Sequence, residues 1–123
     1  MSFAERMQRL FERVGTCRAL LVGDTGTSTV LRACADPGTA QEQHDALLGE
    51  ASLLLGALGE AALAEAAGAS GPVRRAVVLA AGETRVHLRP ETGGTEVASC
   101  RCAPGVPAAD LDAGMGALLT TDG

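Results

Sequence analysis

Residues 39–67 constrain this chain more than any other stretch. Bounded by Asp36-Pro37-Gly38 before it and Gly68 after it, the segment is rich in Ala and Leu. Thr39 and Glu42 have capping-box spacing at its start, and Gly68 supplies a stop. This predicts one helix over 39–67, about 28 residues or ~42 Å long at 1.5 Å per residue. Leu47, Leu48, Leu54, Leu55, Leu58 and Leu63 cover more than the ~100° stripe that a single sheet buries. Part of that surface therefore calls for a partner. Gly49, Ser52, Gly56 and Gly59 recur along one narrow line of the same helix. Each glycine costs about 1 kcal/mol of helix propensity relative to alanine, so a packing role has to compensate. That seam, with Leu48 and Leu55 beside it, is the candidate interface; its alternative use is packing on the chain's own sheet.

Around this helix the chain reads as short elements. Phe3, Met7, Leu10, Phe11 and Val14 recur at helical spacing, and Ser2 with Glu5 can cap the start, which predicts a helix over 2–14. Two strands with a tight turn at Asp24-Thr25-Gly26-Thr27 form a hairpin over 17–35. A turn centred between Thr25 and Gly26 sets Cys17 opposite Cys34, either as two thiols or as a disulfide. Strands are predicted at 73–80, 84–89 and 95–102, with turn signals at Gly82-Glu83 and Thr92-Gly93-Gly94, and a helix at 108–119. The order is α-β-β-α-β-β-β-α, an α/β (α+β) chain.

At 123 residues, with 46% apolar and 20% charged residues, one domain with one aliphatic core is expected. All ten basic residues are Arg, and the net charge of −5 disfavours a nucleic-acid protein, whose phosphate contacts need a basic face. The first 20 residues are amphipathic and carry Glu5 and Glu12, unlike a secretory leader. No apolar run approaches the ~20 residues that span a bilayer. A cytoplasmic location with reduced thiols is the resulting expectation, any membrane or cytoskeletal recruitment being through partners.

Residues able to do chemistry are sparse. His44 sits among Gln41, Glu42, Gln43 and Asp45, as on a solvated helix face. His87 lies between Val86 and Leu88, and alternation places it on the exposed side of its strand. Cys100 and Cys102 share a strand face and could join Cys34 or His87 around a metal, but no second pair has ligand spacing. Asp24-Thr25-Gly26 is the tripeptide of aspartic proteases, yet a long helix directly after the hairpin conflicts with an almost all-β enzyme. No catalytic residue, cofactor site or metal site is assigned, and the chain is read as non-catalytic.

Gly15-x-x-x-Ala19-Leu20-Leu21-Val22-x-Asp24-x-Gly26, followed by the long Ala/Leu/Gly helix at 39–67, resembles the roadblock (dynein light chain) family, whose members include Ragulator subunits and bacterial and archaeal GTPase-associated domains. The likeness runs over essentially the whole chain. The last strand, Glu96-Val97-Ala98-Ser99-Cys100-Arg101-Cys102, departs from the strongly aliphatic strand common there. What the resemblance implies is a profilin-like five-stranded antiparallel sheet with the long helix on one face and the terminal helices on the other. It also implies homo- or heterodimers formed through the long helix and an edge strand, and scaffolds that bind small Ras-like GTPases or dynein intermediate chains. The reading from another class is a small-molecule sensing or enzymatic domain with a pocket on the sheet face.

Overall fold

The computed structural model describes residues 2–68, 71–90, 94–105 and 108–120. Nine elements follow in order: α1 (Phe3–Arg13), β1 (Cys17–Asp24), β2 (Thr29–Ala35), α2 (Gln41–Leu55), α3 (Ala57–Ala67), β3 (Arg75–Ala80), β4 (Glu83–Leu88), β5 (Glu96–Cys102) and α4 (Ala108–Thr120). The strands make one five-stranded sheet in the order β2-β1-β5-β4-β3, antiparallel throughout. The α/β class and the five-stranded antiparallel sheet are as expected.

Both faces of the sheet are covered. On one, Met7 and Leu10 of α1 and Leu111, Met115 and Leu118 of α4 pack on Leu20, Val22, Val86, Cys100 and Cys102. On the other, Leu47, Leu48, Ala51 and Leu55 of α2 pack on Leu21 and Val97. Each leucine so buried contributes about 1.5–3 kcal/mol, so the two layers together outweigh any single polar contact. The Ser2 hydroxyl accepts from the Glu5 amide at 3.1 Å and donates to the Glu5 carboxylate at 3.0 Å, fixing the start of α1. In α2 the cap lies one residue beyond the expected Thr39 and Glu42: Gln43 Oε1 accepts from the Ala40 amide at 3.0 Å.

Two expectations are corrected. The hairpin register sets Leu20, not Cys17, opposite Cys34, and Cys17 pairs with Cys102 of β5. The turn is longer than the two-residue form because Thr25 to Ser28 all lie outside the strands, with Ser28 at φ 55°. A bulge after Val22 shifts the ladder by one more residue. Cys17, Cys34, Cys100 and Cys102 are all free thiols, so no disulfide joins Cys17 to Cys34.

The helix expected over 39–67 is two helices. Gly56 takes an extended conformation (φ −97°, ψ −155°), ending α2 and starting α3, and the axes bend by 44°. The backbone closes on itself there: a Cβ on Gly59 would lie 1.8 Å from the Leu54 carbonyl oxygen, and one on Gly56 2.6 Å from that of Ser52. The glycines at 56 and 59 are thus required by the bend. No single described helix is long and apolar enough to cross a membrane.

Candidate docking surface and the charged cluster beneath the second helix

The six residues of the proposed interface separate into three groups. Leu48 and Leu55 are 2% and 3% exposed and belong to the core against the sheet, the second of the two uses weighed for this face. Gly56 and Gly59 serve the bend. Gly49 and Ser52 do face outward; with Thr25, Ser28 and Asp45 they line a shallow hollow of about 380 Å³. A Cβ on Gly49 would meet nothing within 4 Å, so nothing inside the chain requires glycine there.

The apolar surface left unburied lies further along. Leu53 and Leu58 are 59% and 62% exposed, and Leu63 is 38% exposed. No residue of α3 is buried, although the helix is almost entirely Ala, Leu and Gly. At the far edge of the sheet, β3 pairs with β4 on one side only, and its Val77 and Leu79 are exposed. The surplus of apolar residues noted in the sequence is therefore real, but it resides on α3 and the end of α2 rather than on the glycine seam.

Beneath α2 lies a group that sequence reasoning missed. His87, expected to be exposed, is completely buried. Its Nε2 lies 2.6 Å from a Glu50 oxygen and its Nδ1 2.7 Å from Ser99 Oγ. A carboxylate only accepts, so Nε2 carries the proton, and Nδ1 accepts from the serine hydroxyl. Arg85 grips Glu50 with two hydrogen bonds, at 2.9 and 3.0 Å, and reaches Glu83 at 2.6 Å. Arg101 completes the chain with bonds of 2.8 and 3.3 Å to Glu83. Arg89 donates at 2.9 Å to the Leu55 carbonyl, satisfying the last turn of α2 where the helix breaks.

These contacts set the protonation states. Burial opposes charge on Glu50, but hydrogen bonds from Arg85 and His87 hold its carboxyl below the usual range. Hydrogen bonds from Arg101 and Arg85 bring Glu83 down to about 2. Burial pushes the His87 imidazole down despite the carboxylate beside it, which leaves it neutral at neutral pH. Two carboxylates and two guanidiniums then balance. A serine, a histidine and an acid in line suggest a hydrolase, yet Ser99 is 0% exposed and a nucleophile must reach its substrate. The cluster pins α2 to the sheet. A cavity of about 280 Å³ opens beside it, lined by Gln43, Glu50, Glu83, Arg85 and Arg101, whose charges are already committed to one another.

The remaining motifs resolve simply. The Asp24 carboxylate accepts from the amides of Gly26 and Thr27 at 2.8 and 3.3 Å, so Asp24-Thr25-Gly26 is a turn. Cys100 and Cys102 lie with sulfurs 4.0 Å apart, joined by Cys17 rather than Cys34 or His87. Contact with Cys102, together with burial, pushes the Cys17 and Cys100 thiols up. Among the described residues no group of three or more His, Cys, Asp or Glu side chains could hold a metal ion. His44 is half-buried rather than solvated, and its Nδ1 has no hydrogen-bond partner among the described residues.

A five-stranded antiparallel sheet in the order 2-1-5-4-3, with the terminal helices on one face and the helix between the second and third strands on the other, is the roadblock fold. A Roadblock/LC7 domain from Streptomyces avermitilis matches 94% of this chain over 90% of its own, with 21% identity and a TM-score of 0.74. Myxococcus xanthus MglB matches 94% over 87% of its chain, with 8% identity and a TM-score of 0.69. The gliding protein MglB of Thermus thermophilus matches 97% over 92%, with 14% identity and a TM-score of 0.66. MglB has also been solved in a tetrameric arrangement. No family model matches the chain, and no curated protein matches it in sequence. At these identities the likeness is one of fold.

Proposed function

We propose that this chain is a cytoplasmic, non-catalytic adaptor subunit that pairs with an identical or paralogous roadblock-like subunit and, as a pair, binds or regulates a small Ras-like GTPase. Among the partners that the resemblance implies, the structural likeness to MglB favours the bacterial polarity type over a Ragulator-like assembly or a dynein intermediate chain. The observation that carries the reading is α3: an apolar helix with no buried residue, continuous with the exposed Leu53 of α2. Covering Leu53, Leu58 and Leu63 in a second subunit removes from water a patch that monomers rarely expose. The open edge of β3 offers backbone amides and carbonyls to a matching strand. In this arrangement Gly49 and Ser52 give the partner close access to α2.

The test is a titration of the assembled protein into a Ras-like GTPase of the bacterial polarity type loaded with a fluorescent nucleotide. Saturable binding to one nucleotide state, with a changed rate of nucleotide release or hydrolysis, is the expected result. A chain that pairs yet leaves the GTPase untouched in both nucleotide states would reduce the function to pairing alone.

A further inference from the structure

The face opposite α2 carries a second surface, unrelated to the pairing surface. Between α1 and α4 runs a groove of about 660 Å³, lined by Arg6, Arg9, Arg13 and Glu12 on α1, with Leu10 and Leu118 in its floor. Its shape depends on Gly114 of α4: a Cβ there would lie 2.4 Å from Leu10 Cδ1 and 3.0 Å from Arg13 Nη2. The helices therefore meet at a glycine, and Arg13 lies across the contact. Arg6, Arg9 and Arg13 fall on one stripe of α1, at i, i+3 and i+7. Arg6 also stands 5.4 Å from the centre of the Phe3 ring. Arg9 and Arg13 are exposed and form no ion pair with another described residue. Among the described residues, Arg9 and Arg13 against Glu12 leave this wall cationic on a chain whose net charge is −5. Elsewhere Arg75 pairs with Asp112, Arg85 with Glu50 and Glu83, and Arg101 with Glu83, while Arg18, Arg74 and Arg89 donate to backbone carbonyls.

We propose that this groove binds an acidic, amphipathic segment of a partner protein, its apolar side chains resting on Leu10 and Leu118 and its carboxylates meeting Arg9 and Arg13. Guanidinium forks suit carboxylates, so charge complementarity carries the contact; Leu10 and Leu118, 6% and 5% exposed, give the segment an apolar surface to rest on but little further burial. An anionic membrane fits less well, because a groove recessed between two helices is shaped for a segment and not for a flat surface.

The experiment uses a fluorescein-labelled helical peptide of Leu and Glu, the same peptide with Gln for Glu, and phosphatidylserine vesicles. Each is titrated into the full chain, into Arg9→Glu/Arg13→Glu, and into the milder Arg9→Gln/Arg13→Gln, with folding of each variant checked by its urea midpoint. The wild-type chain should bind the Leu/Glu peptide, and either variant should bind it about tenfold more weakly, in line with two partly exposed charge contacts. Binding should also weaken as salt rises. The Leu58→Glu variant should bind the peptide as well as the wild type does, because the pairing surface is separate. Equal affinity for the Gln peptide, unchanged binding in both arginine variants, or binding to vesicles alone would overturn the proposal. A lower molecular mass in the arginine variants would overturn it too, by showing that the groove holds a second copy of the chain.

Discussion

His87 shows how a residue's setting depends on what lies across from it. Alternation along β4 sets Val86 and Leu88 on one face and Arg85, His87 and Arg89 on the other, and for a sheet covered on one side the second set would face water. This sheet is covered on both sides, so the polar set lies under α2 and must be satisfied there. Glu50, the acid set between Leu48 and Leu53 of α2, was the available signal. Its partners are far apart in sequence, so no local pattern joined them. Ser99 and Arg101 account for the unusual polarity of β5 in the same way. Glu50→Ala would strand the His87 imidazole and half of Arg85, at a cost of about 1–3 kcal/mol in urea unfolding. Protonation adds a pH dependence. His87 binds a proton less readily when folded than when unfolded, so stability falls as pH drops below about 6.5. Glu50 and Glu83 are held below 4.5, so a further loss follows as pH drops below that value, continuing toward about 2 for Glu83. In His87→Gln the loss between pH 7 and 5 should flatten while the loss below 4.5 remains; an unchanged slope between pH 7 and 5 would remove His87 from the account.

Most elements were legible because each carries its own periodicity and punctuation: Ser2 and Glu5 for α1, the Gly82-Glu83 signal for the turn that falls at Ala81-Gly82 between β3 and β4, Leu111, Met115 and Leu118 for α4. The break in the 39–67 helix was not. Glycine lowers helix propensity, but propensity alone does not say whether a helix bends or continues. What decides it is the contact of Gly59 with the Leu54 carbonyl, a feature of the bent geometry only. The seam of small residues was visible, but not that two of its members, Gly56 and Gly59, sit at the bend. Gly49 and Gly59 therefore respond oppositely. Gly49→Ala should raise the stability of an unpaired chain by up to about 1 kcal/mol, since space is open and propensity improves. Gly59→Ala should lower it, because the new methyl displaces backbone at the bend. Calorimetric midpoints of the two variants, compared under conditions where the chain is unpaired, decide between this and a straight helix, in which both would stabilise.

For the molecule as a whole, the two sheet faces divide the work. The face under α1 and α4 holds the larger aliphatic cluster, and Met115→Ala there should cost about 2–5 kcal/mol, as a fully buried methionine does. The other face is held by α2 and the charged cluster, and beyond it α3 is left uncovered. The total apolar content of 39–67 announced a surplus, but only the assembled sheet showed which leucines it consumes: Leu47, Leu48 and Leu55 are used, while Leu53, Leu58 and Leu63 remain. Pairing through those three is the central claim. It is tested most directly by light scattering on the purified chain, alone and mixed with roadblock paralogues, beside Leu58→Glu/Leu63→Glu. A two-subunit mass that collapses to one subunit in the double variant, with the urea midpoint of the separated subunit unchanged, is the predicted result. A wild-type chain that remains a single subunit with every paralogue, or a double variant that pairs as well as the wild type, would contradict it.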